Sequence, residues 1–176
     1  FDDVKDNKIP FSGFDYQAPL GSMCQFRFTD IHKYGSCQKF LQAHVGGINL
    51  LRDRYFSLGS VAKKIVGISW RGGGRGDRIL QKSIDVDMFS SLITGFPDIR
   101  FVSLQYGESE SVISKFKDLG IDAHHDSSIN PLKNMDGWLA QVGACDAVVS
   151  VANTTIHGAG GLGIPTYCLL SLHSDW

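Results

Sequence analysis

From Lys63 onward the chain alternates short apolar runs with segments whose apolar residues return every third or fourth position. The runs at 65–70, 99–106, 147–151 and 166–170 are β-branched and bounded by Gly, Pro or Asp. That is the pattern of parallel strands buried on both faces. A fifth, more polar run at 121–125 is a weaker strand. Between them lie helical patterns. In 86–93, Val86, Phe89, Leu92 and Ile93 share one face and Asp85 precedes them as a cap. In 109–119, Val112, Ile113, Phe116 and Leu119 do the same, and Gly120 stands where a helix-ending glycine belongs. A third segment, 138–145, contributes Leu139, Val142 and Cys145.

This rhythm predicts an α/β fold: a doubly wound, mainly parallel Rossmann-like sheet with right-handed crossovers. Ligands of such sheets lie beyond the carboxyl ends of the strands. The rule gathers 70–74, 105–108 and 152–157 on one rim. Residues 1–62 read differently, because Pro10, Pro19 and scattered glycines break them into loops. We read them as the tail of a preceding domain plus a linker helix over about 37–58 that packs on the sheet, weakened by Gly46 and Gly47. Residues 63–176 form the Rossmann-like domain. Phe1 is no natural initiator and the chain stops soon after a strand, so a piece of something longer, short of its C-terminal helices, is expected.

The segment 146–170 carries the sharpest chemistry: an apolar strand, Asn153-Thr154-Thr155, His157, a run of small residues, and a second strand. The first N–H groups of a helix lack internal partners and sit at its positive end, so this junction suits an anion. Asn and Thr cap helices and offer donors to phosphate oxygens. His157 adds a donor in the first turn; a capped crossover helix with a satisfied histidine would look the same in sequence.

After the first strand comes Arg71-Gly72-Gly73-Gly74-Arg75-Gly76-Asp77-Arg78. Gly72 and Gly73 allow close approach of the backbone to a ligand, and the arginines supply charge, although neither a Walker loop nor GxGxxG fits. Lys82 follows as a point charge for a diphosphate. Gln105, at the end of the second strand, can read a sugar hydroxyl or a base edge, and Glu108 a ribose diol; Glu108 serves equally as a helix-start residue. His124-His125-Asp126 is a poor metal cluster, because adjacent strand side chains point to opposite faces.

Composition narrows the reading further. The chain has 176 residues, 43% hydrophobic and 20% charged, which is enough for one domain with a sizeable core and argues against disorder. A net charge of −1 excludes a broad nucleic-acid footprint, so an anion site must be local. No run is long enough to span a bilayer, and no leader stands at the start. Cys24, Cys37, Cys145 and Cys168 show neither disulfide nor zinc spacing, which implies a reducing compartment and no metal.

Several stretches together resemble the C-terminal half of B-type glycosyltransferases. They are KIVGISWRGGG, the Lys82-Ser83-Ile84 step, IRFVSLQYGE, DAVVSVANTTIHGAGGLGIPT and the closing Asp175-Trp176. More narrowly, the chain is similar to the heptosyltransferase family (glycosyltransferase family nine) and its bacterial relatives fused to tetratricopeptide repeats. The resemblance runs from about Gln17 to the end. It implies two facing Rossmann-like domains, of which this one binds a nucleotide diphosphosugar donor, the only small molecule needed, with no separate cofactor. Gly72, Gly73 and Lys82 would approach the diphosphate. Gln105 and the backbone near Met135 would face the nucleoside, and Asn153, Thr154, Thr155 and His157 would hold the phosphates. The general base of these inverting enzymes lies in the other domain, so no catalytic residue is assigned here. Acceptors would be saccharide, lipid-linked or protein, and the location cytoplasmic or peripheral at the inner membrane. The chain departs from the family at Ala152, where an acidic residue is common. It departs again at Gly158-Ala159, where Leu-Ala usually follows the histidine. Two other functions therefore stay open: a non-catalytic nucleotide-sugar or protein-binding module with a decayed site, and a nucleotide-sugar epimerase.

Overall fold

The computed structural model describes residues 13, 15–16, 39–59, 62–74, 76–107 and 109–171. The expectations placed on Cys24, Cys37, Arg75, Glu108 and Asp175-Trp176 lie outside the described residues. The chain divides into two units, Phe1–Cys37 and Gln38–Trp176. The second carries the sheet.

Five parallel strands, β1 (Lys64–Ser69), β2 (Ile99–Ser103), β3 (Ala123–His124), β4 (Ala147–Val151) and β5 (Thr166–Leu169), stand in the order β3-β2-β1-β4-β5. The helices are α1 (Val45–Phe56), α2 (Asp77–Gln81), α3 (Val86–Ile93), α4 (Glu110–Asp118), α5 (Met135–Gly143) and α6 (Thr154–Leu162). The fold is the expected Rossmann-like α/β sheet, and the direction of winding reverses between β1 and β4. That reversal opens a crevice at the carboxyl ends of those two strands.

Strand side chains alternate between two cores. Ile65, Val102 and Val148 join Leu51 and Tyr55 of α1, Trp138 and Val142 of α5, and Ala159 and Leu162 of α6. Val66, Ile68 and Phe101 join Phe89 of α3 and Phe116 of α4 on the other face. There Trp70, Phe89 and Phe116 meet with ring centroids 5.8–6.3 Å apart. Each such side chain, fully buried, contributes roughly 1.5–3 kcal/mol.

Boundaries moved where caps decide them. The helix expected over 37–58 is α1, which begins at Val45 because the His44 ring caps it, accepting from the Gly47 N–H at 3.0 Å. It shares the sheet's core and so belongs to the sheet unit, which opens at Gln38 and not at 63. The third helical pattern starts earlier than 138 because Asn134 caps α5 through the Gly137 N–H. The short α2 has no apolar periodicity and was invisible in the sequence.

Buried charge ties α1 to the sheet. Arg100 of β2, 1% exposed, donates to the carbonyls of Tyr55 and Leu58 and pairs with Asp122 at 2.9 Å. Asp146 accepts from the Ile65 N–H at 2.8 Å and from Arg52 at 2.9 Å. Burial would raise the Asp146 carboxyl, but these donors outweigh it and hold it below the usual carboxylate range. At Asp126 burial is likewise outweighed, by the Ser128 hydroxyl and N–H, Arg54 and the Tyr55 hydroxyl. Among the described residues no helix is long and apolar enough to cross a membrane.

Candidate functional site

The crevice between β1 and β4 is organised by one side chain. Asn153 ends the β4 connection in extended backbone (φ −152°, ψ −173°) and caps α6, its Oδ1 accepting from the Thr155 N–H at 2.8 Å. Its Nδ2 donates to Ser69 Oγ at 2.8 Å and to the Arg71 carbonyl at 3.1 Å. The helix start is thus clamped to the end of β1 and to the glycine loop together. Gln105 completes the clamp from β2: its Oε1 accepts from Ser69 Oγ and the Arg71 N–H, each at 3.0 Å. Its Nε2 donates to the Tyr106 carbonyl at 3.2 Å.

Gln105 braces the rim, 3% exposed with both amide atoms engaged, and lines neither of the pockets described below. Gly72 is likewise behind the rim. Its N–H meets Ser83 Oγ at 3.1 Å, and a Cβ there would stand 2.4 Å from Lys82 Cβ and 2.6 Å from the Lys82 carbonyl oxygen. Only glycine lets the loop close on the α2–α3 connection, and that closure seats Lys82 at the rim.

Two adjoining pockets open above this clamp. The larger, about 470 Å³, is lined by Gly73, Gly74, Lys82, Tyr106, Ala152, Asn153, Thr154, Ile156, His157 and Leu170. The smaller, about 300 Å³, is lined by Leu104, Tyr106, Pro131, Leu132, Met135, Trp138, Asn153, Thr154 and Thr155. Tyr106, Asn153 and Thr154 border both, and among the described residues no carboxylate lines either. One side offers a lysine, an imidazole and helix-start donors, the other mainly apolar walls.

Of the residues expected at the site, Gly73, Lys82, Asn153, Thr154 and His157 meet in the larger pocket, and Met135 and Thr155 border the smaller one. His157 is exposed on the pocket wall, not turned into the core. Thr155 is the second residue of α6, 4% exposed, and its N–H is already taken by the cap. The first position is Thr154, and no hydrogen bond among the described residues occupies the Thr154 or Ile156 N–H.

Sequence reasoning did not single out Tyr106 as the partition between the pockets, nor Trp138 as a wall of the smaller one. Tyr106 is stacked by Arg71, whose guanidinium lies 6.0 Å from the ring centroid and donates to the Tyr106 carbonyl at 3.1 Å. The only available signal was the place of Tyr106 shortly after β2; Trp138 lies in the first turn of α5 and carried none. Elsewhere, His124 packs on Tyr55, where burial lowers its pKa, and His125 bonds the buried Ser109 hydroxyl at 2.9 Å. Burial pushes the Cys145 thiol up to about 12, in keeping with an inert core cysteine.

No family profile matches the chain, and no solved structure matches it. The chain is similar to Protein FlbA of Caulobacter vibrioides, at 26% identity over 164 residues. That match covers 93% of this chain but 27% of FlbA, so the chain spans about a quarter of the relative's length.

Proposed function

We propose that this unit is the donor-binding domain of a glycosyltransferase that moves a sugar from a nucleotide diphosphosugar to a hydroxyl acceptor with inversion. The observation that supports it is the pairing of the two pockets across the start of α6. The polar one offers Lys82, His157 and the leading N–H groups of α6 to a diphosphate; the apolar one is suited to a nucleoside. In the reaction, charge grows on the departing diphosphate, and a helix start, a lysine and a histidine aimed at it stabilise that charge. The base that takes the acceptor's proton belongs, by the resemblance, to a facing domain.

The test is a binding panel. Uridine, guanosine and adenosine diphosphates, their nucleosides and inorganic pyrophosphate are titrated into the 176-residue chain and followed by calorimetry or NMR. With one wall of the cleft open to water, we expect dissociation constants on the order of 0.1–1 mM for the best nucleotide and no sugar transfer. Failure of every nucleotide and of pyrophosphate to bind would sink the reading. A second reading, a module that binds nucleotide sugar without chemistry, is favoured by Ala152, which brings no acid to the larger pocket. An epimerase is less well supported, since it needs acid/base carboxylates and none lines the pockets among the described residues.

A further inference from the structure

Tyr106 is half-buried, borders both pockets, and is held from two directions. The Arg71 guanidinium lies 6.0 Å from the ring centroid and donates to the Tyr106 carbonyl. Gly107 makes room for that guanidinium: its backbone is left-handed (φ 78°), and a Cβ there would stand 2.9 Å from Arg71 Nη2. At the other end of the ring, the Tyr106 hydroxyl lies 3.3 Å from where a Cβ on Gly73 would be. Gly73 lines the larger pocket and not the smaller, so the hydroxyl stands on the polar side of the partition. It makes no hydrogen bond among the described residues. The buried polar side-chain atom left unpaired among those residues is Trp138 Nε1 alone, so the Tyr106 hydroxyl is open to solvent and not sealed in protein. A phenylalanine would keep the ring, the contact with Arg71 and the division of the pockets. The hydroxyl adds a donor that the fold itself does not use, on a side chain already fixed in place, so a ligand bonding it loses little to ordering.

We propose that the Tyr106 hydroxyl is a phosphate-binding donor of the larger pocket, giving a hydrogen bond to a phosphate oxygen of a nucleoside diphosphate. The inference rests on the donor-binding reading above and adds to it the residue that marks where the phosphates begin. Lys82, Thr154 and His157 line the same pocket, and no carboxylate does among the described residues. A hydroxyl in that company finds its best acceptor in an anion, because a hydrogen bond to an ionised oxygen is stronger than one to a neutral oxygen. A ligand reaching from the smaller pocket into the larger must pass the Tyr106 ring, and beyond the ring the hydroxyl meets the diphosphate and not the base.

The test compares the 176-residue chain with Tyr106→Phe. Inorganic pyrophosphate, the diphosphates of uridine, guanosine and adenosine, and the three nucleosides are titrated by NMR, with thermal unfolding followed alongside. The unfolding midpoint should change little, because the hydroxyl bonds nothing in the free protein. Pyrophosphate and the best diphosphate should each bind the variant about tenfold more weakly, and nucleosides should bind both chains alike. In the unmodified chain the Tyr106 ring signals should shift saturably with pyrophosphate alone; that measurement decides should the variant fail to fold, and signals that stay put overturn the inference. Equal affinity of the two chains for pyrophosphate and the diphosphates overturns it as well and spares the phosphate cleft. An equal loss for nucleosides also overturns it, by placing the hydroxyl on the nucleoside. If neither pyrophosphate nor any nucleotide binds the unmodified chain, this inference and the donor-binding reading fall together.

Discussion

Thr154→Pro separates the helix-start N–H from everything else at the site. Thr154 is the first residue of α6, where a proline's missing N–H breaks no intrahelical bond and its fixed φ suits the helix. The residue before a proline must be extended, and Asn153 already is, at φ −152° and ψ −173°. The cap survives, because Asn153 Oδ1 bonds the Thr155 N–H and not that of Thr154. Thr154 is exposed, so the ring has room. Stability should therefore stay within about 0.5–1 kcal/mol of the parent. A hydrogen bond to a charged phosphate is worth roughly 1.5–3 kcal/mol, which corresponds to about a 10- to 150-fold rise in Kd. The assay is NMR titration with the best nucleoside diphosphate, alongside thermal unfolding by circular dichroism. Thr154→Ala is the control, since it removes the hydroxyl and keeps the N–H; it should lose clearly less. Unchanged affinity in the folded proline variant, or an equal loss in the alanine variant, would refute the claim that the backbone of α6 holds the anion.

Lys82→Ala should weaken nucleoside diphosphates by roughly tenfold or more while leaving nucleosides alone; equal losses measured by calorimetry would make Lys82 a surface lysine. Arg100→Ala should destabilise by roughly 2–4 kcal/mol in urea unfolding, because it empties a fully buried site and removes the donor from the Tyr55 and Leu58 carbonyls. A loss under about 1 kcal/mol would show that α1 does not depend on it. Asp126 and Asp146 have folded-state pKa values below their ordinary 3.8, so their contribution is complete above the unfolded value and is lost as pH falls through the folded one. The unfolding midpoint should accordingly drop as pH is lowered from about 5 into the acid range, and Asp146→Asn should flatten that drop. An identical acid profile in the variant would remove Asp146 from the account.

The sequence alone determined the layer architecture. Four runs of β-branched residues separated by helical periodicity leave little choice but a parallel sheet with helices on both faces, and residues 86–93 became α3 with the Asp85 cap in place. It also marked the rim, because a polar cap directly after a buried strand is a local signal, and Asn153 is the cap of α6. What it could not decide was which rim residues face outward. Gln105 and Tyr106 are neighbours at the end of β2, yet one is locked beneath the loop by Ser69 and Arg71 and the other divides the two pockets. That difference depends on hydrogen bonds between residues more than thirty positions apart. The extent of α1 was no more legible. Its glycines argue against a helix, and only the packing of Leu51 and Tyr55 into the sheet's core, with Arg100 reaching its last turn, outweighs them. Trp138 shows the same limit. In sequence it is one more apolar helix residue, and only packing decides that its benzo edge lies against Gly158 of α6 and that its N–H is buried without a partner among the described residues. Local pattern fixes elements because capping and periodicity are local forces; the facing of a side chain is set by whatever the rest of the chain brings against it.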